Sequence, residues 1–326
     1  MKIWNSKMET NEKEKIGVSQ NPTLIYSEKK SRTIGKLAMF FSGCLMGFVG
    51  LFVTYFFNRS IYTVVVFRGF FGLLWLLFFI FVFGMKKTIF PLLRSYPISI
   101  MMQAFFSAFT VYFYFTAIKS LNYAFAAFLL YLGPVFAVIF NLFFLKIKIP
   151  MRTYISFPIS LLGLALLLNL EDNFVPGEAF FNGVLSALCL AISTTFKCFV
   201  FEDIQRKKNF ELIHVQTIMP FFVCLFLVAV FIFQSDITGI PLSIIDLLLG
   251  SLLGLFPTAL AFTLYNIGLN QDKGGDVIIL SYSEPLVTSV LSILIQHVVD
   301  PLLYIGGSLI VLANLIILLE KRKEPN

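Results

Sequence analysis

The chain has 326 residues, of which 58% are hydrophobic and 13% charged, with a net charge of +7. Soluble domains carry about 25% charged residues, so the composition excludes a soluble enzyme, and the solvent it fits is a bilayer. The basic excess would suit nucleic acid, but it is parcelled into alternate loops, as a membrane topology signal is.

In chain order, residues 1–36 are polar and mixed in charge, and read as a disordered cytoplasmic tail rather than a signal peptide. A membrane-crossing helix needs roughly 20 apolar residues. Ten segments qualify: 37–57, 61–83, 97–118, 123–145, 152–170, 180–200, 212–233, 244–267, 275–297 and 301–319. They predict an all-α polytopic membrane protein with ten transmembrane helices. Residues 321–326 form a second cytoplasmic tail. The loops are short, so no soluble domain fits between spans. No GxxxxGK[ST] occurs, and hence no phosphate cradle for coupling to ATP.

One alternate set of loops and tails holds 21 Lys or Arg; the other holds only Arg59 and Lys119. The positive-inside rule then places both termini in the cytoplasm. Arg68 and Lys197 lie within spans.

The two halves superpose at a shift of 151 positions, which sets Tyr114 on Tyr265, Tyr131 on Tyr282, Pro134 on Pro285 and Pro150 on Pro301. Five spans per half is an odd number, so the second copy is inverted in the membrane. The repeats run over 37–170 and 180–320. Inverted repeats recur in secondary transporters, whose substrate site lies near the midplane where the repeats meet.

Candidate site residues follow along the chain. Arg68 lies about 6 Å from the centre of the second span at 1.5 Å per residue. It suits a substrate anion, a snorkelling contact or a bond to backbone carbonyls. The third span carries a polar stripe, Gln103, Ser107, Thr110 and Tyr114, at i, i+4, i+7 and i+11. Its mate in the eighth span includes Thr258 and Tyr265. Such stripes face a cavity or glue helices together. Tyr131 and Tyr282 precede Pro134 and Pro285 by three residues, and the paired prolines are hinge candidates. Glu284 is the only acid deep in an apolar span, on a face with Ser281, Thr288 and Ser292. An ion at that depth costs roughly 2.5–3.5 kcal/mol on insertion scales, so Glu284 is a candidate for proton coupling. Packing as a neutral, hydrogen-bonded acid is the alternative. Lys119 and Lys197 read as snorkelling residues, and His214 and His297 as interfacial. Cys44, Cys189, Cys198 and Cys224 have no metal-ligand spacing. No metal or cofactor is expected.

The segments YFTAIKSLNYAFAAFLLYLGPVF (114–136) and YNIGLNQDKGGDVIILSYSEPLV (265–287), with Arg68, Gly43, Gly47 and Lys197, resemble the EamA-type ten-helix members of the drug/metabolite transporter superfamily. The first span departs from the pattern, lacking Trp-Gly-Ser and ending on Asn58. The resemblance implies a carrier, monomeric or homodimeric, in the plasma or inner membrane that exports amino acids or related small metabolites by alternating access. An exchanger of a nucleotide-sugar-like or adenosyl compound is the second reading. A channel or a membrane enzyme is remote: an enzyme needs a nucleophile–base pair or a metal cluster. The expected partners are a small-molecule substrate and the lipid bilayer, not nucleic acid.

Overall fold

In lipid, each backbone N–H and C=O must be satisfied within its own segment, and the long Phe-, Leu- and Ile-rich runs accordingly form helices. The computed structural model describes residues 22–55, 59–145, 153–168, 177–235, 241–270 and 278–318. No strand occurs among them.

The first half comprises α1 (Pro22–Gly47), α2 (Val49–Tyr55), α3 (Ile61–Val82), α4 (Lys86–Ser95), α5 (Pro97–Ser120), α6 (Tyr123–Leu130), α7 (Gly133–Leu145) and α8 (Thr153–Leu168). The second comprises α9 (Glu178–Lys207), α10 (Leu212–Phe231), α11 (Ile244–Gly254), a π-helical segment Leu255–Leu260, α12 (Ala261–Asn270), a 3₁₀ segment Ile278–Tyr282, α13 (Ser283–Gln296) and α14 (Pro301–Leu318). Among the described residues six stretches are long and apolar enough to cross a membrane, including Ile61–Val82, Pro97–Ser120 and Glu178–Lys207. Tyr123–Ala137 and Pro301–Ile316 are shorter apolar helices. Helix α1 starts at Pro22, so residues 22–36, expected in the tail, continue the first span as helix. Residues 1–21, Asn58, Pro150, the 272–276 turn and the C-terminal tail lie outside the described residues.

Packing follows a two-fold exchange of the halves. Helix α5 packs along α9 and, reciprocally, α12 along α1; α7 packs on α9, and α13 on α1. The contacts α3–α10, α8–α14 and α6–α13 each map onto themselves under that exchange. Outward surfaces are apolar, as at Phe81, Ile98, Ile244 and Leu286, while Thr63, Arg68, Gln103, Thr258, Ser283, Thr288 and Asn314 are buried. Polar groups turn inward because lipid offers them no partner.

Prolines shape several of these helices. Pro257 has no N–H for the Leu253 carbonyl, and the Thr258 hydroxyl donates to that carbonyl instead, at 3.0 Å. The helix widens to a π-turn there. Pro134 follows a turn at Tyr131–Leu132 that divides the fourth span into α6 and α7. Its repeat mate Pro285 opens α13 directly after the 3₁₀ segment. The structure thus interrupts two spans at matching positions, both of which the hydropathy pattern draws as continuous.

Candidate functional site

The two interruptions meet. The rings of Tyr131 and Tyr282 lie 5.4 Å apart at 49°, and the Tyr131 hydroxyl donates to Glu284 Oε2 at 3.1 Å. The break exposes the Tyr131 carbonyl, and Asn314 Nδ2 on α14 donates to it at 2.7 Å. Hydrogen bonds of this kind between membrane helices contribute about 0.6 kcal/mol on average. Their main effect here is to fix where the chain turns.

Close approach of α1 holds the other side of Glu284. A Cβ on Gly43 would lie 2.6 Å from the Ser281 carbonyl oxygen, and one on Gly47 would lie 2.9 Å from that of Glu284. Glycine at both positions lets the α1 backbone lie against the start of α13. Ser283 donates to the Phe40 carbonyl at 2.9 Å, and Thr288 Oγ1 lies 2.9 Å from the Glu284 carbonyl and 3.4 Å from that of Gly47. Glu284 and Tyr131 are enclosed by protein yet keep accessible surface. Both therefore sit on an internal surface.

Arg68 approaches from α3. Its Nε donates to Thr258 Oγ1 at 3.1 Å and its Nη2 to the Pro257 carbonyl at 3.4 Å, and its guanidinium lies 5.2 Å from the centroid of Phe115. Arg68 thus ties α3 to the π-turn. It forms no ion pair with Glu284, but the two groups feel one another's charge. Tyr114 is buried and lies in the field of both. The Tyr265 ring centroid lies 5.8 Å from Lys197 Nζ. Tyr131 and Tyr282 thus meet at Glu284, and Tyr265 lies beside Lys197.

The polar stripe of α5 divides. Gln103 Nε2 donates to Ser107 Oγ at 3.0 Å and to Ser193 Oγ at 3.4 Å, and Ser107 and Ser193 bond at 2.6 Å. Gln103 and Ser107 are thus engaged in the α5–α9 contact, and Thr110 donates back to the Phe106 carbonyl at 2.9 Å. Only Tyr114, at the far end of the stripe, reaches the tyrosine cluster. Lys119 Nζ donates to the Arg59 carbonyl at 3.1 Å. His214 stands 3.3 Å from Glu211 and 3.4 Å from Thr88, away from the cluster.

Asn314 and Ser193 are additions to the residues singled out in the sequence. Both are polar residues within apolar spans, which is the signal that marks them.

A family model, the EamA-like transporter family, matches residues 33–169 and again 179–319. An uncharacterized transporter of Archaeoglobus fulgidus is 28% identical over 262 residues, covering 77% of this chain and 84% of that protein. One crystal structure superposes with a TM-score of 0.55 over 86% of this chain and 95% of its own, at 20% identity, a likeness of fold alone.

Proposed function

We propose that this chain, which belongs to the EamA-like transporter family and is a polytopic membrane transporter, is a secondary carrier working by alternating access. In this reading ten helices cross the plasma or inner membrane with both termini in the cytoplasm, and the halves rock about the tyrosine cluster. The substrate is a small metabolite, an amino acid or a related compound, moved outward. The site residues are Tyr114, Tyr131, Tyr265, Tyr282 and Glu284, with Thr288 and Ser281 positioning the acid. Pro134 and Pro285 serve as hinges.

The observation that carries the proposal is the Tyr131–Glu284 bond, which joins the two repeats at the two broken spans. A carrier needs a site whose walls belong to both moving bodies, and a broken helix at membrane depth is tolerated where it lines such a site. Glu284 can exchange a proton or a substrate ammonium for the Tyr131 hydroxyl as the halves part.

Proteoliposomes test this. Preloading them with an amino-acid mixture should give saturable counterflow of labelled amino acid, abolished by Glu284→Ala. Ion current without saturable exchange would indicate a channel, and neither activity would refute the carrier reading for these substrates.

A further inference from the structure

Lys197 lies about 7 Å from the midpoint of α9 and about 15 Å from its basic end at Lys207, at 1.5 Å per residue. Its side chain ends against two aromatic rings. The Nζ lies 5.3 Å from the ring centroid of Phe201 and 5.8 Å from that of Tyr265. Like Glu284, Lys197 is enclosed by protein but keeps accessible surface.

Among the described residues no acid pairs with it. The ion pairs among those residues are Arg59–Asp246, Asp203 with Arg206 and Lys207, and His214–Glu211. Asp203, one and a half turns along α9, is occupied by those two basic residues and by the Tyr96 hydroxyl at 2.8 Å. Glu284 accepts from Tyr131. Ring faces contribute about 0.5–2 kcal/mol to a cation and leave its charge unbalanced.

We infer that the transported compound carries an oxyanion, a carboxylate or a phosphate, that binds Lys197 Nζ beside the Tyr265 ring. The inference rests on the carrier reading and narrows its substrate class. Phe201 and Tyr265 flank the ion with apolar surface, which suits an acid borne on an organic body. Arg68 is committed to the π-turn through Thr258 and Pro257, which leaves Lys197, among the described residues within the spans, as the cation that takes the anion.

The test compares the media of cells expressing the wild type, Lys197→Met, Lys197→Arg and Glu284→Gln at equal membrane abundance, by untargeted mass spectrometry. Compounds accumulating with the wild type should bear a carboxylate or a phosphate, and their masses tell which. Lys197→Met should lower that accumulation at least tenfold, and Lys197→Arg should restore most of it. In detergent, Lys197→Met should melt no lower than the wild type, because it removes an uncompensated charge. Accumulation of neutral or purely cationic compounds would overturn the inference. So would undiminished accumulation with Lys197→Met, or a melting point several degrees lower for that variant. Export lost in Glu284→Gln but intact in Lys197→Met would overturn this inference alone. No accumulation with the wild type would overturn the carrier reading and the inference with it.

Discussion

Arg59 at the start of α3 and Asp246 at the start of α11 form an ion pair at 2.5 Å that ties the first repeat to the second. Both side chains are mostly shielded, at 10% and 19% exposure. Arg59 also donates to the Pro241 carbonyl at 3.0 Å, and Asp246 closes a capping box with Ser243. Close by, Tyr112 stacks on Tyr62 at 5.3 Å and on Phe231 at 5.0 Å. The pair and the stack lie at the end of α3 that the proposed topology assigns to the outside.

Removing one member leaves a shielded charge without its partner, on the order of 1–3 kcal/mol for a pair this exposed. Arg59→Gln and Asp246→Asn should each lower the melting point and raise outside access to a cysteine at Tyr114. The double variant should cost less than the two single costs added together, because neither charge is then stranded. Additive costs in a double-mutant cycle would mean the pair does not act as a latch.

The repeat assigns the tyrosines opposite roles. Tyr114 lies toward the proposed outer end of α5, and Tyr265 toward the cytoplasmic end of α12. Tyr114→Ala should raise labelling of interior cysteines from outside, and Tyr265→Ala should raise it from inside. Equal shifts from both substitutions would make the tyrosines packing residues.

Helix α1 can lie against α13 only without side chains at the crossing. A Cβ on Gly47 would meet the Val287 Cβ at 2.7 Å. Gly47→Val should therefore destabilise the protein by about 1–3 kcal/mol, the usual cost of overpacking, read as a lower melting temperature in detergent. Unchanged melting would mean that α1 and α13 separate freely.

Topology is tested by labelling single cysteines placed in a background without the four native ones. Gly177→Cys and Leu242→Cys should react with a membrane-impermeant maleimide on intact cells, and Lys87→Cys and Lys207→Cys only after lysis. The reverse pattern at either pair would contradict the inverted arrangement.

Much of the centre was legible because the repeat writes it twice. The Tyr-x-x-Pro spacing at Tyr131 and Tyr282 marks both helix breaks, and an acid in apolar surroundings marks Glu284. Partner choice between helices was not legible, since it depends on rotations that hydropathy leaves open. The stripe of Gln103 and Ser107 suited a cavity or a helix contact, and that Ser193 meets it is set by the α5–α9 crossing. Nor could Pro257 announce a π-turn, because the remedy is the hydroxyl of the next residue, Thr258. Lys197 read as a snorkelling residue because it ends the sixth span on the cytoplasmic side, and its neighbours Phe201 and Tyr265 were not part of that reading.

The central claim is that Glu284 is the ionisable heart of the transport site, and pH-dependent flux tests it most directly. A carboxyl that gains and loses a proton during the cycle makes transport respond to pH on either side of the membrane. Glutamine keeps the volume and the bond to Tyr131 but cannot ionise. Initial rates should be measured in proteoliposomes across the pH range for wild type and Glu284→Gln, with equal amounts of folded protein. The account predicts a pH-dependent wild-type rate and a Glu284→Gln rate that is low and flat with pH. Full, pH-responsive transport by well-folded Glu284→Gln would contradict it.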